Sequence, residues 1–307
     1  MSITITVVVV TFNRKELLQV CLQAIAAQTR RPDRLVIVDN ASTDGTREML
    51  ADQGWLARGD TELLALRENT GGAGGFAAGI EHAAGSGTDW IWVMDDDAEP
   101  HPDALAELVA VDPDPGNLYG SAAVTGDRLS WPMMPMDGSW RDTIYLAAGL
   151  PERVDVQFIP FLGLLISAAL VKRIGLPDPD FFIAADDVDY CLRARKAGCR
   201  IVLVGRSHIE HPASERYHVP LPWRPFYSLR LSPWKRYYDV RNRIFVARNH
   251  YGAALYYSTI PGLFFRLFAT LWHEGDRPAQ IKAFAAGMYD GLLGRKGCRH
   301  RKWGITK

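Results

Sequence analysis

The sequence predicts an α/β fold with a mostly parallel central sheet flanked by helices, followed by a helical C-terminal extension. Residues 3–10 are β-branched at nearly every position, as in a strand buried on both faces of a parallel sheet. Short apolar strands then alternate with helices at the spacing of right-handed βαβ units. With 307 residues, 48% of them hydrophobic, the chain is long enough for one sizeable core and a smaller attachment.

Each predicted element is bounded by turn residues and has the apolar pattern of its type. The strands are short apolar runs, and the helices carry apolar residues on one side. Thr43 or Asp44 can cap the second helix. The predicted strands span residues 3–10, 34–38, 63–66, 90–94 and 200–204, and the predicted helices span 15–28, 46–53, 76–84, 101–110 and 186–197.

The character of the chain changes beyond His211, where a proline- and aromatic-rich stretch precedes further helices. We therefore expect one domain over residues 1–215 and a helical region over residues 216–307. The longest apolar segment, 251–272, is broken by Pro261 and carries Arg266, so it falls short of a membrane span. It fits a helix on a membrane surface, helped by the basic tail, or a helix packed on the first domain.

Charge and cysteine content exclude several classes of protein. The net charge is zero, so the chain as a whole has no electrostatic attraction for nucleic acid. The four cysteines form no CxxC pair, which predicts reduced, buried thiols in a cytosolic protein and not a disulfide framework or zinc site. The N-terminus opens directly into an apolar strand, and no signal peptide is expected.

Three adjacent carboxylates, Asp95, Asp96 and Asp97, follow directly on a predicted strand. Like charges this close repel one another unless a cation neutralises them. Hard oxygen ligands suit Mg²⁺ or Mn²⁺, which commonly bridge to a diphosphate. Ligands of open α/β folds bind at this end of the strands. The alternative is a solvated acidic turn, which the triplet taken alone favours.

Other turns add polar groups at the same expected edge of the sheet. Residues 11–14 end the first strand, and Asp39 ends the second, where it can accept from the imide N–H of a uracil. The glycine-rich segment 71–75 allows close backbone approach to a ribose or phosphate, with helix N-terminal amides facing negative charge. It follows the third strand, whereas the dinucleotide-binding fingerprint follows the first. A flexible loop is the alternative.

A second acidic cluster, Asp186, Asp187 and Asp189, lies at the start of a predicted helix. One aspartate there could cap the helix and complement its dipole. Helix capping does not explain a run of acids preceded by the apolar segment 181–185. A carboxylate at the mouth of an apolar cleft can act as general base towards a sugar hydroxyl. The hydroxyl would then attack opposite the leaving diphosphate, which inverts the anomeric centre.

A histidine near residue 210 could complete a mixed oxygen–nitrogen site for Mn²⁺. His211 follows the strand after the acidic helix and precedes a proline. His208 competes with it, and spacing alone does not choose between them. Most lone histidines are not metal ligands.

These motifs together resemble glycosyltransferase family 2, whose members share the GT-A fold. The strand end V-V-T-F-N occupies residues 9–13, and the turn V-D-N-A-S-T-D-G occupies 38–45. The aspartate triad lies at 95–97, and the acidic pair 186–187 precedes L-R at 192–193. Each part is a weak signal by itself, but the set is specific.

A narrower resemblance links the chain to the actinobacterial galactofuranosyltransferases that initiate cell-wall galactan. It rests on R-E-N-T-G-G-A-G-G-F at 67–76, D-W-I-W at 89–92, H-P at 211–212 and K-R-Y-Y-D-V-R-N-R at 235–243. The resemblance implies UDP-galactofuranose as donor and a divalent metal, Mn²⁺ or Mg²⁺. It implies a rhamnosyl-N-acetylglucosaminyl diphosphate on a polyprenyl lipid as acceptor. Residues 1–215 would then be the catalytic domain, and the helical region 216–307 would lie close to the acceptor and the membrane. The enzyme would then work at the inner face of the plasma membrane, as a peripheral cytoplasmic protein.

The resemblance also implies roles for individual residues. The metal ligands map onto Asp95, Asp97 and His211. The base maps onto Asp187, with Asp186 beside it contacting the acceptor, although some relatives have Glu at the second position. The remaining expected contacts are Thr11, Asn13, Arg14, Asp39, Asn69 and Asp96 for the donor, and Trp131, Trp234, Tyr237 and Tyr238 for the acceptor. For any one of these aromatics, core packing is the commoner role.

Two other functions are compatible with the sequence. A family 2 rhamnosyl- or glucosyltransferase would use the same chemistry with another UDP- or dTDP-sugar, and Asp39 would serve either base. A non-catalytic module that binds glycans or nucleotide sugars would have lost an acid from one cluster. Both clusters are intact here.

Overall fold

A computed structural model describes residues 3–219 and 226–306, and it divides into two compact units. The first unit comprises Met1–Asp178 and Asp187–Ala213, and the second comprises Pro179–Asp186 and Ser214–Lys307. The division after residue 213 lies close to the boundary expected near 215. The short segment 179–186, which belongs with the C-terminal part, was not expected there.

The first unit contains one large mixed sheet, flanked by helices. Its strands are β1 (Ile5–Thr11), β2 (Arg34–Asp39), β3 (Thr61–Ala65), β4 (Trp90–Asp95), β5 (Glu99–Pro100), β6 (Leu118–Thr125), β7 (Arg128–Met133), β8 (Ile144–Leu146), β9 (Arg153–Asp155), β10 (Leu164–Ser167) and β11 (Ile201–Glu210). Its helices are α1 (Lys15–Ala26), α2 (Thr46–Asp52), α3 (Gly71–Gly85), α4 (Ala104–Ala110), α5 (Ala168–Ile174) and α6 (Asp186–Lys196).

The strand order confirms the predicted α/β architecture. The main path runs β3-β2-β1-β4-β10-β6-β11-β5, and the strands β3, β2, β1 and β4 are parallel to one another. The strand β10 runs antiparallel between β4 and β6, so the sheet is mixed beyond its N-terminal half. Thr11 pairs with Asp39, and Val10 pairs with Asp95. The carboxyl ends of β1, β2 and β4 therefore lie at the same edge of the sheet.

The β-branched first strand is buried on both faces, as the sequence predicts. Val8 and Val10 pack into one apolar cluster with Phe76 of α3. Val7 and Val9 point the other way and join a second cluster with residues of α1, which include Leu18 and Leu22. This alternation places one layer of core on each side of the sheet.

The helix α3 begins at Gly71, so the prediction that it begins at residue 76 was wrong. Its glycines allow the helix to lie close to β1 and β2. A Cβ at position 75 would lie 2.5 Å from Val10 Cγ1, and one at position 79 would lie 2.8 Å from Val38 Cγ2. The glycine-rich segment is thus part of a packed helix and not a flexible loop.

Smaller differences concern element ends and one cysteine. Helix α4 begins at Ala104, three residues later than predicted, and β11 extends to Glu210 after a register shift between Val204 and His208. Asp44 accepts a hydrogen bond from the backbone N–H of Thr46 at 3.2 Å, near the start of α2. Cys298 is exposed, whereas the other three thiols are buried as expected.

The second unit is mainly helical. It contains β12 (Arg216–Val219), β13 (Phe226–Leu229), α7 (Pro233–His250), a π-helical turn (Leu255–Thr259), α8 (Ile260–His273) and α9 (Arg277–Leu292). Helices α7 and α9 pack closely around buried Tyr237, Tyr238 and Val240. Within residues 3–219 and 226–306, no helix is long and apolar enough to cross a bilayer.

Candidate active site

The buried Asp96 is held by two residues at the end of the first strand. Thr11 donates its hydroxyl to Asp96 Oδ2 at 2.7 Å, and Arg14 Nη1 lies 3.2 Å from Oδ1. Desolvation nevertheless outweighs these contacts and raises the pKa of Asp96 above its ordinary value. Asp96 is therefore held in a fixed position in the buried part of the site.

Asp97 pairs with both a guanidinium and an imidazole. Arg14 Nη1 donates to its Oδ2 at 2.8 Å, and His211 Nε2 lies 3.4 Å from its Oδ1. Burial opposes ionisation, but the contacts with His211 and Arg14 together lower the pKa of Asp97. The repulsion within the triplet, inferred from the sequence, is thus offset in part by Arg14.

The structure brings His211, not His208, to the aspartate triplet. His211 follows β11, and its backbone N–H donates to Val124 at 2.9 Å. His208 Nε2 lies 2.9 Å from the carbonyl oxygen of Gly205, a contact that occupies this nitrogen. Asp97 and His211 line a cavity of about 260 Å³ with residues of α1 and with Glu99.

The pair Asp97 and His211 suits a divalent metal. Asp97 Oδ1 and His211 Nδ1 are buried without a hydrogen-bond partner. Two ligands of one octahedral ion, each at about 2.1 Å, lie about 3 Å apart, which is close to the 3.4 Å between Asp97 Oδ1 and His211 Nε2. Across the described part of the chain, no three His, Cys, Asp or Glu side chains are gathered closely enough to hold an ion. Asp95 as the third ligand stays a prediction.

The turns expected to bind the nucleotide are hydrogen-bonded to one another. Asn13, in a left-handed conformation (φ 53°), accepts from the backbone N–H of Thr43 at 2.7 Å. The backbone N–H of Asn13 donates to Ser42 Oγ at 3.0 Å. The buried Asp39 accepts from the backbone N–H of Ser42 at 2.9 Å. These contacts order the edge where the donor is expected to bind.

Asn40 is a structural residue of the site that the sequence analysis missed. Its Oδ1 accepts from the backbone N–H of Thr70 at 2.9 Å, and its Nδ2 donates to the carbonyl of Gly71 at 2.8 Å. Asn69 Oδ1 accepts from the N–H of Gly71 at 2.8 Å. Asn40 therefore joins the turn after β2 to the start of α3. The D-N pair in the 38–45 motif was the available signal.

Helix α6, which starts with the acidic pair, is anchored in the first unit by its later residues. Arg193 donates to the carbonyls of Ile174 at 2.9 Å and Leu176 at 2.7 Å. Asp187 Oδ1 accepts from the backbone N–H of Val188 at 2.7 Å. Desolvation of the Asp187 carboxylate outweighs this hydrogen bond and raises its pKa to about 6.

The segment before the acidic pair has an uncommon backbone. Phe182, Ala184 and Ala185 have φ angles of 65°, 70° and 64°, in the left-handed region that non-glycine residues rarely occupy. Arg241 Nη2 donates to the carbonyl oxygens of residues 180 and 181 at 3.0 and 2.8 Å. Asn242 Nδ2 lies 3.0, 2.8 and 2.8 Å from the carbonyl oxygens of residues 181, 183 and 184.

Arg241 and Asn242 are fully buried, and the sequence analysis gave them no role. They lie within the 235–243 motif that was quoted for the resemblance. No local pattern indicates that their partners lie about sixty residues earlier in the chain.

The four aromatics predicted to contact the acceptor have different environments. Tyr237 and Tyr238 are fully buried, with hydroxyls bonded to Asp290 at 2.6 Å and His300 at 2.8 Å. Trp131 on β7 and Trp234 on α7 are partly exposed. Since the two tyrosines are core residues, contact with an acceptor would require this core to open. The acceptor contacts of all four stay predictions.

Comparison with known proteins defines the class. Residues 6–147 match the family model for glycosyl transferase family 2. The chain is 33% identical over 264 residues to galactofuranosyltransferase GlfT1 of Mycobacterium tuberculosis, covering 80% of this chain and 83% of that protein. The chain belongs to glycosyltransferase family 2, and it is a glycosyltransferase.

Two further likenesses bear on the fold and on the alternatives. N-acetylglucosaminyl-diphospho-decaprenol L-rhamnosyltransferase of M. tuberculosis is 27% identical over 241 residues, covering 69% of this chain and 76% of that one. The mannosyltransferase PcManGT from Pyrobaculum calidifontis, solved with GDP-Man and Mn²⁺, has a TM-score of 0.57 at 18% identity. That likeness covers 95% of this chain and 87% of the other. The fold is GT-A, as the sequence predicts.

Proposed function

We propose that this enzyme transfers galactofuranose from UDP-galactofuranose, with inversion, to a rhamnosyl-N-acetylglucosaminyl diphosphate carried on a polyprenyl lipid. This would be a step in the initiation of cell-wall galactan. The observation that supports UDP-galactofuranose as the donor is the 33% identity to GlfT1 over 80% of the chain. The catalytic scheme rests on Asp187 and on the Asp97–His211 pair.

Asp187 is the general base of the proposed reaction. It removes the proton from the attacking acceptor hydroxyl, whose oxygen bonds to the anomeric carbon as the bond from that carbon to the UDP oxygen breaks. The proton stays on Asp187, and UDP leaves with the electron pair. A pKa of about 6 is close to the working pH, which favours proton transfer by this group. Asp186 contacts the acceptor beside it.

Asp95, Asp97 and His211 would hold Mn²⁺ or Mg²⁺. When bound there, the ion would supply Lewis-acid stabilisation of the negative charge on the departing diphosphate. Asp97 Oδ1, which is buried without a hydrogen bond and lies 3.4 Å from His211 Nε2, supports this assignment, as does the Mn²⁺ bound to the mannosyltransferase with the same fold. Arg14, paired with Asp96 and Asp97, adds a fixed positive charge beside the diphosphate.

The nucleotide lies along the carboxyl edge of β1, β2 and β3 in this proposal. The residues proposed to contact it are Thr11, Asn13, Arg14, Asp39, Asn69 and Asp96. Asp39 accepts from the uracil imide, and the hydrogen bonds among these turns keep the site preorganised. Because the acceptor is a membrane lipid, the enzyme works at the cytoplasmic face of the membrane.

A screen of nucleotide-sugar donors tests the proposal directly. Release of the free nucleoside diphosphate in the presence of a synthetic rhamnosyl-N-acetylglucosamine acceptor should be fastest with UDP-galactofuranose. Asp187→Asn should abolish transfer and keep UDP affinity close to that of the wild type. Transfer with dTDP-rhamnose, and none with UDP-galactofuranose, would instead support the rhamnosyltransferase alternative, which the 27% identity to a rhamnosyltransferase favours.

A further inference from the structure

Helix α8 and the π-helical turn before it expose an unusual concentration of aromatic rings. Phe264, Phe268 and Trp272 are spaced four residues apart, so they lie along one side of the helix. Tyr256 and Tyr257 lie in the π-helical turn. We call these five residues the aromatic face. Each is between 55% and 75% exposed.

The aromatic face is large for a water-exposed surface. Five rings of this exposure present on the order of 600 Å² of mainly apolar area, as large as the largest patch of a typical monomer. Within the aromatic face, Phe268 stacks on Trp272 with ring centroids 6.3 Å apart. The opposite side of α8 is buried, since Leu263, Ala269 and Thr270 pack inside the second unit.

The charge of this part of the chain indicates the partner. Residues 251–307 contain nine Lys or Arg and three Asp or Glu. An amphipathic helix with aromatic residues on one side, in a region with an excess of basic residues, is typical of binding to anionic lipid surfaces. Tryptophan and tyrosine favour the headgroup level, where one end of the ring is apolar and the other is hydrated.

We propose that the aromatic face docks on an anionic lipid bilayer, with its rings at headgroup depth and with basic residues of the C-terminal region facing the lipid phosphates. The helix lies on the surface and does not cross it, in keeping with its length and with Arg266 near its middle. The docking depends on the exposed rings and the charge, so it holds for any sugar donor.

Sedimentation with vesicles tests the docking. The full chain should bind vesicles of phosphatidylcholine with phosphatidylglycerol, bind pure phosphatidylcholine more weakly, and lose part of its affinity in high salt. The triple substitution F264S/F268S/W272S should lower affinity by at least about tenfold. Transfer to a water-soluble acceptor should be unchanged.

A matched control removes exposed apolar side chains elsewhere. Tyr145 and Leu146 on β8 are also exposed, so Y145S/L146S should bind vesicles like the wild type. Equal binding by the triple variant and the wild type, or no binding by the wild type, overturns the proposal. One further outcome overturns it. If the wild type forms a dimer in sedimentation velocity and does not bind lipid, and the triple variant is monomeric, the aromatic face binds a second copy of the chain.

A separate observation concerns Arg241 and Asn242, whose hydrogen bonds to segment 180–184 are described above. We infer that these two are positioning residues, which hold the left-handed backbone that leads directly into Asp186 and Asp187. Each left-handed alanine is unfavourable without support. Buried donors converge on the carbonyls of this segment and supply that support. The inference rests on the proposed role of Asp187.

Asn242→Ala tests the positioning role. We expect kcat to fall by at least about tenfold, the KM for the donor to stay the same, and the pH midpoint of kcat/KM to move from about 6 towards the ordinary carboxylate value. Gln280→Ala is the matched control. Gln280 is also buried in the second unit, and it donates to the carbonyl of Leu231 at 2.8 Å, outside segment 179–186.

Glycine at the strained positions provides a rescue. Because glycine adopts positive φ without a steric penalty, A184G/A185G should restore part of the kcat lost in Asn242→Ala. If Asn242→Ala and Gln280→Ala have the same kcat while Asp187→Asn is inactive, the positioning role is refuted and the proposed base is not. An active Asp187→Asn refutes the proposed base instead.

Discussion

The raised pKa of Asp187 predicts how the reaction depends on pH. With a pKa of about 6, the carboxylate is about 90% ionised at pH 7 and about 10% ionised at pH 5. Only the ionised form accepts the proton of the acceptor hydroxyl. We therefore expect kcat/KM, which reports the free enzyme, to fall about tenfold from pH 7 to pH 5.

The assay measures initial rates of UDP release at low acceptor concentration, in buffers of constant ionic strength. Circular dichroism at each pH shows whether the protein remains folded. A flat profile between pH 5 and 7, or a midpoint near 4, would refute the reasoning, since an ordinary carboxylate stays ionised throughout this range.

The same shift predicts the stability of Asp187→Asn. The folded-state pKa lies above the ordinary value of 3.8, so the fold favours the protonated carboxyl. This contribution is present at low pH and is lost as pH rises through about 6. At pH 7.5 the neutral asparagine removes an ionised, desolvated group, and the Tm should equal or exceed that of the wild type. A large loss in Tm would show that the carboxylate has a structural role.

Three other predictions follow from packing and charge. Excess chelator should abolish transfer, and Asp97→Asn should raise the Mn²⁺ concentration needed for half-maximal rate; full activity in chelator would refute the metal site. Gly79→Ala should destabilise the protein by about 1–3 kcal/mol in urea unfolding, because a Cβ at this position overlaps a side chain of β1. The control Gly85→Ala has open space around it and should change stability by less than about 1 kcal/mol. Asp290→Asn should cost about 3 kcal/mol of stability, because a fully buried acceptor of hydrogen bonds from Tyr237, Arg299 and Trp303 loses its charge; an unchanged Tm would contradict this.

The parallel half of the sheet could be predicted because its strands have a local signal. The β-branched run 5–11 is buried on both faces, and each turn after a strand carries its own polar motif. The start of α3 could not be predicted in this way. Glycine has low helix propensity, and its use at 75 and 79 depends on how closely the helix approaches Val10 and Val38, which is a tertiary contact.

The candidate site was also predicted unevenly. The aspartate triplet was identified from its position after an apolar strand. Spacing alone left His208 and His211 open, the family resemblance implied His211, and in the structure His211 lies beside Asp97. The pairing of β11 with β6 shifts register between Val204 and His208, and spacing along the sequence does not reveal such a shift. Arg241 and Asn242 could not be given a role, since their partners are distant in sequence and are backbone carbonyls, which leave no side-chain pattern.

The interlocking turns at the carboxyl edge affect how donor preference could be redesigned. Asn13 holds the loop after β2 through Thr43, and Asn40 holds the start of α3 through Thr70 and Gly71. Replacing any one loop with that of a relative breaks hydrogen bonds belonging to its neighbour. A chimera with altered nucleotide selectivity therefore has to exchange all three loops together, as one cassette.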